Sequence, residues 1–138
     1  MNCNEQRDSS YVSPDELRNT TRAVRPKDAA TLIIVRGGGK EPRVLMGKRA
    51  ASHKFMPNKF VFPGGKVDPA DSRIVPPHDL HPQVMKRLRR GCSEVRARAL
   101  ALAAIRETYE ETGLIVGEPH THTIKTRSRH WADFLQHD

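Results

Sequence analysis

The sequence has little of several features that would define a protein class on their own. Its 138 residues include two cysteines, and aromatic residues make up 5% of the chain. Two cysteines do not make the disulfide framework that holds small secreted domains together. No apolar run approaches the ~20 residues that a membrane-spanning helix needs. These absences exclude a disulfide-rich scaffold and a membrane-spanning bundle, so we expect a cytoplasmic protein without a membrane partner.

The charge balance is strongly basic. Lysine and arginine number 24 against 16 aspartates and glutamates, which gives a formal net charge of +8. Such a surface attracts anions, whether nucleic acids, phosphorylated metabolites or acidic lipid headgroups. Hydrophobic residues are 36% of the chain, so we expect a small and mostly aliphatic core. The length suits one domain.

The N-terminal part of the chain differs from the rest. Residues 1–27 are polar and show neither a sustained period nor the apolar segment of a secretory signal, so we interpret them as a flexible arm. The domain is then expected to occupy residues 28–138. Within it, short apolar runs predict strands over 31–35, 44–48 and 60–62, and a glycine-rich turn between the first two predicts a hairpin.

The clearest element is a helix between Ser93 and Gly113. The stretch is rich in alanine, leucine, arginine and glutamate, which are strong helix formers. Ser93 suits the N-cap, and Gly113 suits the position just after the last turn. A short basic helix is expected over 82–90, and residues 114–116 predict a strand. The spacing of apolar residues from Trp131 onward predicts a short amphipathic helix near the end of the sequence.

Three carboxylates share one face of the long helix. Glu107, Glu110 and Glu111 stand at i, i+3 and i+4, so their side chains project to the same side. Their mutual repulsion would be relieved by a hard divalent cation, because Mg²⁺ and Mn²⁺ favour carboxylate oxygens. A solvated acidic helix face has the same spacing. The cluster alone therefore fits either a metal site or an acidic surface exposed to solvent. The buried stripe is expected on roughly the opposite face, from Val95, Leu102, Ile105 and Tyr109.

Two segments together resemble the signature of the Nudix hydrolases. The family pattern is glycine, five residues, glutamate, seven residues, then Arg-Glu-U-x-Glu-Glu-x-Gly-U, where U is a bulky aliphatic residue. Here the first glycine is Gly65, and the second half begins at Arg106. The chain departs from the pattern because Asp71 replaces the first glutamate and because 34 residues (72–105) replace the seven. We assign the insert to residues 72–98. The entropic cost of closing a loop grows only with the logarithm of its length, so such an insertion costs little.

The resemblance implies a fold, a reaction and residue roles. The implied fold is an α+β, Nudix-like α/β/α sandwich with a mixed sheet, which we expect to be incomplete at the C-terminus. The implied reaction is the Mg²⁺- or Mn²⁺-dependent hydrolysis of a diphosphate linkage in a nucleoside diphosphate derivative. The implied catalytic residues are Arg106, Glu107, Glu110 and Glu111. The implied metal ligands are Glu107, Glu110, Glu111 and Gly65 through its carbonyl, with Asp71 as a supporting acid.

The residues before the turn predicted at Pro63, Gly64 and Gly65 (the glycine turn) resemble a further signature, that of the coenzyme A diphosphatase branch. Its positions fall, with the spacing intact, on Leu45, Met46, Gly47, Arg49, Ala50, Lys54 and Asn58. Arg49 and Lys54 suit phosphate binding, and Lys66 beside the turn is a third candidate for substrate binding. The resemblance therefore implies coenzyme A or an acyl-CoA as the leading substrate candidate. A nucleotide sanitiser or a nucleotide-sugar pyrophosphatase is the alternative within the enzyme class.

Other interpretations concern the basic surface and the partners. The basic run 86–90 has no stacking aromatic residues beside it, so we interpret it as solvated insert surface and do not expect nucleic acid as a partner. The histidines at 120, 122, 130 and 137 lack zinc-site spacing. Because 24 residues follow Leu114, we expect either that the last strands of the sheet are missing or that the C-terminal residues and a second copy, in a homodimer, complete it. A truncated, non-catalytic module that binds a nucleotide, RNA or a protein is the alternative from another class.

Overall fold

A computed structural model describes residues 25–39, 41–54, 56–118 and 124–136. Most of the predicted arm, residues 1–24, and the histidines at 120, 122 and 137 lie outside the described residues. The described helices include none that is both long and apolar enough to cross a membrane.

Six short strands of the described chain pair into three antiparallel two-stranded sheets. The pairs are β1 (Ala29–Thr31) with β6 (Gly64–Lys66), β2 (Val35–Arg36) with β3 (Arg43–Val44), and β4 (Gly47–Lys48) with β5 (Phe60–Val61). Helices and small sheets together agree with the predicted α+β class. The described strands do not join into one mixed sheet between helices, so the complete sandwich stays a prediction.

The strand prediction over 31–35 is correct in place but wrong in continuity. The run begins in β1 and ends in β2, and the residues between change partner. The Leu32 N–H donates to the Pro63 carbonyl, whereas the Ile34 carbonyl accepts from the Leu45 N–H, both at 3.0 Å. One apolar run therefore pairs first with β6 and then with β3, and its hydrophobic pattern does not predict this change of partner. The run 44–48 is divided in the same way, between β3 and β4.

The strand predicted over 114–116 is not formed. Leu114, Ile115 and Val116 follow the long helix as irregular chain, and all three are exposed. Their β-branched and aliphatic character favours a strand, but a strand also needs a neighbour to pair with. None of the described strands pairs with this segment.

The long helix has the predicted bounds. It is α2 (Glu94–Thr112), preceded by α1 (Pro82–Leu88) and followed by α3 (Arg129–Phe134). At its start the Ser93 hydroxyl accepts from the Arg96 N–H at 3.3 Å. At its end Gly113 adopts a left-handed conformation, with φ of 71°, and its N–H donates to the Tyr109 carbonyl. Both predicted caps are thus confirmed.

The predicted buried stripe of α2 is wrong at its first residue, because Val95 is 59% exposed. Leu102 is buried, whereas Ile105 and Tyr109 are only partly buried. Helix α2 packs on β1 and β6, and its buried residues are mainly small: Ala97, Ala99, Leu102, Ala103, Ala104, Arg106 and Thr108. Small side chains let the helix approach the strands closely, and this close approach places the helix beside the glycine turn.

The hydrophobic core is small and lies where α3 packs on α2. Its buried members are Ile74, Leu102 and Trp131. The Trp131 ring meets the Phe134 ring edge to face, with 5.3 Å between centroids. The predicted C-terminal amphipathic helix is therefore confirmed as α3, and it covers the second half of α2.

The part of the insert that precedes α2 is tied to the first turns of α2 by arginines. Arg98 donates to both oxygens of Asp79, at 2.9 and 2.6 Å, and also to Glu94. The hydrogen bonds from Arg98, together with one from the Leu80 backbone N–H, lower the pKa of Asp79 to about 2. Arg89 pairs with Glu94 at 3.3 Å. Part of the insert's positive charge is thus neutralised within the chain itself.

Candidate functional site

The two halves of the divided signature meet through one buried ion pair. The Arg106 Nε–H donates to Asp71 Oδ1 at 2.9 Å, and the Nη2 group donates to Oδ2 at 3.1 Å. The side chains are 4% and 0% exposed, respectively. A two-pronged arginine–carboxylate contact fixes both distance and orientation. The long insert therefore does not separate the glycine-turn segment from the helix.

The Asp71 carboxylate is held from two further directions. The Asp68 backbone N–H donates to Oδ2 at 2.8 Å, within the turn that leads into the 3₁₀ helix Asp71–Arg73. The Trp131 indole N–H donates to Oδ1 at 2.8 Å, from helix α3. Sequence reasoning missed this indole contact, because the two residues are 60 positions apart. The one available signal is that Trp131 is the single tryptophan of a chain poor in aromatic residues.

Arg106 also reaches the carboxylates of its own helix. Its Nη1 group donates to Glu107 Oε1 at 3.0 Å and to Glu110 Oε1 at 3.1 Å. Its Nη2 group donates to the Lys66 carbonyl at 3.0 Å. Burial disfavours the charged form of Arg106, but hydrogen bonds to Asp71 and Glu110 outweigh it and hold the pKa of the guanidinium above its usual value. The guanidinium is thus a permanent positive charge between the turn and the helix.

The glycine turn expected at Gly64 and Gly65 forms the start of strand β6 in the structure, and it lies directly against the carboxylate face of α2. A Cβ atom placed on Gly65 would stand 2.3 Å from Glu107 Oε2, so only glycine leaves room for this carboxylate. The Gly64 N–H donates to Glu111 Oε2 at 3.1 Å. Gly64 itself has φ of +154° and packs on the backbone of β1. The two adjacent glycines therefore serve different contacts, one with the strand and one with the helix.

A groove opens beside Glu110, with a volume of about 410 Å³. The His130 Nδ1 atom lies 2.9 Å from Glu110 Oε1 at its edge. The remaining lining residues come from α3 and the residue after its C-cap: Arg129, Ala132, Asp133 and Gln136. His130 is exposed, in agreement with its interpretation as a surface residue, but its contact with Glu110 has no signal in the sequence.

The chemistry of the three glutamates fits a hard divalent cation, although their placement does not yet form a ligand set. Among the described side chains, no group of three or more histidine, cysteine, aspartate or glutamate residues is gathered closely enough to hold a metal ion. Each of Glu107, Glu110 and Glu111 instead accepts a hydrogen bond from the chain, through one oxygen. Glu110 and Glu111 are exposed, but Glu110 lies against Arg106 and His130, and Glu111 accepts from the Gly64 N–H.

The three predicted substrate-binding cations lie in different places. Lys66 ends β6 beside the site, and its carbonyl accepts from Arg106. Arg49 follows β4 and approaches His53, with 3.4 Å between Nη1 and Nδ1. Lys54 is exposed between β4 and β5, and the ion pairs found in the described chain do not join it to the glutamates. Lys66 is thus linked to the carboxylate face through its backbone carbonyl, by way of Arg106.

Comparison with known proteins finds similarity to Nudix hydrolases. No family model matches the chain. Over 73 residues the chain is 38% identical to the Caenorhabditis elegans protein named "Putative nudix hydrolase 7", a match that covers 53% of this chain and 17% of that protein. A crystal structure of a NUDIX hydrolase from Alicyclobacillus acidocaldarius matches with 33% identity and a TM-score of 0.44, over 61% of this chain and 35% of that one.

The chain therefore spans only a minor part of the length of both relatives. The sequence similarity supports the Nudix hydrolase family, in agreement with the resemblance of the divided signature. The coenzyme A branch has no support beyond the residues that precede the glycine turn.

Proposed function

We propose that this chain is a Nudix-type hydrolase that cleaves a diphosphate linkage in a nucleoside diphosphate derivative, with Mg²⁺ or Mn²⁺ as cofactor. The observation that carries the proposal is the buried pair of Arg106 and Asp71, because it joins the glycine turn to the glutamate helix across the insert. The sequence identity with a Nudix hydrolase supports the same assignment.

In this proposal the glutamates hold the metal ion and Arg106 holds the glutamates. Glu107, Glu110 and Glu111 are the metal ligands, and the carbonyl of Gly65 completes the set. When bound, the ion neutralises charge on the diphosphate oxygens and lowers the pKa of a coordinated water. Arg106 orients Glu107 and Glu110 through one Nη1 group, so that their second oxygens are left for the ion.

The substrate side of the proposal rests on charge. A chain with a net charge of +8 favours a polyanionic substrate. Lys66 is adjacent to the carboxylate face, and Arg49 and Lys54 belong to the segment that resembles the coenzyme A signature. We therefore propose coenzyme A or an acyl-CoA as the substrate, with these three cations binding its phosphates.

One observation favours a second candidate, a non-catalytic module that binds a nucleotide, RNA or a protein. The glutamates of α2 accept hydrogen bonds from Gly64 and Arg106, and the described side chains present no assembled metal site. A helix face stabilised in this way does not need an ion to relieve its repulsion.

A turnover panel separates the two candidates. The chain is incubated with Mn²⁺ and, in separate reactions, coenzyme A, NADH, ADP-ribose and nucleoside triphosphates, and products are resolved by liquid chromatography. We expect hydrolysis of coenzyme A. The variant Glu111→Gln should lose about 100-fold or more, because loss of a direct ligand costs at least as much as loss of a residue that supports one.

The matched control is Glu118→Gln, which neutralises an exposed acid outside the cluster. It should retain full turnover. Hydrolysis that survives in Glu111→Gln contradicts the assigned ligand. Tight RNA binding without product from any substrate supports the non-catalytic module instead.

A further inference from the structure

We propose that Trp131 is a positioning residue for the carboxylate site, although it lies outside the divided signature. Its indole N–H fixes the Asp71 carboxylate, and through Asp71 it fixes the Arg106 guanidinium that holds Glu107 and Glu110. The inference rests on the proposed function, since it names a residue that prepares the same metal site.

The geometry of the indole supports this role. Trp131 is 2% exposed, and its Nε1 atom stands 2.8 Å from Asp71 Oδ1. The same oxygen accepts from Arg106 Nε at 2.9 Å, so the tryptophan and the arginine share one acceptor. Packing against Ile74, Leu102 and Phe134 fixes the ring, which makes the N–H a rigid donor.

The chemistry of a buried carboxylate explains why this donor matters. Asp71 is fully buried, and each of its oxygens accepts two hydrogen bonds in the described structure, from Asp68 and Arg106 on one side and from Arg106 and Trp131 on the other. Loss of the indole N–H leaves Oδ1 with Arg106 alone. Three hydrogen bonds then hold the carboxylate instead of four, and Oδ1 together with the guanidinium paired to it gains freedom to shift.

Arg106 transmits this shift to the site. Its Nη1 group contacts Glu107 and Glu110, and its Nη2 group contacts the Lys66 carbonyl in the strand that continues from the glycine turn. A residue that supports metal ligands through such a network typically contributes 10- to 100-fold in metal affinity, to an order of magnitude. Helix α3 thus acts on the site through Asp71.

The first test is Mn²⁺ binding, measured by isothermal titration calorimetry. Trp131→Phe retains an aromatic ring in the core and removes the N–H donor. We expect its dissociation constant for Mn²⁺ to rise about 10-fold or more. The matched control is Tyr109→Phe, which removes the 3.2 Å hydrogen bond between α2 and Asp133 of α3 without touching Asp71. The control should bind Mn²⁺ as the wild-type chain does, and equal losses in both variants would overturn the inference.

A double-mutant cycle tests whether Trp131 acts through Asp71. In an Asp71→Asn background the indole no longer has the charged acceptor to fix. Trp131→Phe should then cause little further loss of Mn²⁺ affinity, because residues of one network do not contribute additively. Additive losses would mean that the tryptophan acts by another route and would refute the inference.

A third measurement separates this inference from the proposed function. In ¹H–¹⁵N spectra of the metal-free chain, the Trp131 indole N–H should exchange slowly with solvent, and the Arg106 Nε–H should give a single sharp signal that broadens or shifts in Trp131→Phe. Rapid indole exchange in the wild-type chain, or an unchanged Arg106 signal in the variant, would overturn the positioning role. Absence of Mn²⁺ binding by the wild-type chain would instead contradict the proposed function.

Discussion

At the residue scale, the site depends on a buried charge pair whose members lie on either side of the insert. Removing one partner from such a pair is costly, because the other charge remains buried without compensation. Arg106 is also specific in shape, since its planar fork contacts Asp71, two glutamates and a backbone carbonyl at once. Lysine carries the same charge but lacks that fork.

We therefore expect Arg106→Lys to lower the free energy of unfolding by about 1–3 kcal/mol, because lysine keeps the charge but leaves buried acceptors of Asp71 without their hydrogen bonds. Urea unfolding followed by circular dichroism measures the change. The control is Arg96→Lys, in an exposed pair with Asp28, where little or no change is expected because solvent screens the pair. A similar small effect in both variants would show that the buried pair does not hold the two segments together.

The two glycines of the turn should respond differently to the same substitution. In Gly64→Ala the new Cβ meets the Ala30 carbonyl at 2.4 Å, which is backbone and cannot move aside. In Gly65→Ala the new Cβ meets the Glu107 carboxylate, which is the end of a side chain and can move aside. We expect Gly64→Ala to lose about 1–3 kcal/mol of stability. Gly65→Ala should lose mainly Mn²⁺ affinity.

Thermal unfolding and Mn²⁺ titration of both glycine variants check this contrast. Gly47→Ala serves as the control, because no atom lies within 4 Å of its added Cβ. Wild-type Mn²⁺ affinity in Gly65→Ala would show that the Glu107 carboxylate need not stay where the turn confines it.

At the scale of elements, the sequence predicts helices better than strands. Helix α2 carries its own boundary signals at Ser93 and Gly113, so its bounds follow from local chemistry. Strand limits depend on the neighbour, and the run 31–35 divides because it changes neighbour. The predicted buried face of α2 is wrong at Val95, because the pattern favours large apolar residues as the buried ones, whereas the buried residues of the helix are mainly alanines, which permit a closer approach. The contact of Trp131 with Asp71 could not be predicted, because nothing local specifies the partner of an indole.

The insert is an element whose attachment should depend on pH. Hydrogen bonds from Arg98 and the Leu80 backbone N–H lower the pKa of Asp79 from its ordinary value of 3.8 to about 2. A carboxylate with a lowered pKa in the folded state stabilises the fold above its unfolded pKa and loses that contribution as the pH falls through the folded value. The contribution of Asp79 should therefore be complete above about pH 4 and disappear toward pH 2.

Thermal unfolding at a series of pH values tests this dependence. Asp79→Asn should remove the part of the acid destabilisation that belongs to this pair, and Arg98→Gln should remove the same part, since Arg98 is the main cause of the shift. Glu118→Gln is the control and should keep the wild-type profile. An Asp79→Asn profile identical to that of the wild type would show that the pair does not anchor the insert in solution.

At the scale of the whole molecule, the strands leave apolar side chains uncovered. Several large hydrophobic residues of the strands and their flanks are at least 39% exposed: Ile33, Val35, Val44, Met46 and Phe60. Val35 and Val44 stand opposite each other in one antiparallel pair. Two-stranded sheets with exposed edges and an apolar surface are prone to pair with further strands. We propose that a second copy of the chain covers them, as the predicted homodimer requires.

Light scattering coupled to size exclusion tests the homodimer. We expect the wild-type chain to dimerise with rising concentration. The dimer should strengthen with added salt, because two copies of net charge +8 repel each other at low ionic strength. Val44→Glu should be monomeric, since it places a charge within the apolar strands. Val75→Glu is the matched control. Val75 is 78% exposed but lies in the insert and not in the strands, so this variant should still dimerise. A wild-type chain that stays monomeric in high salt would show that these strands are not completed by a second copy.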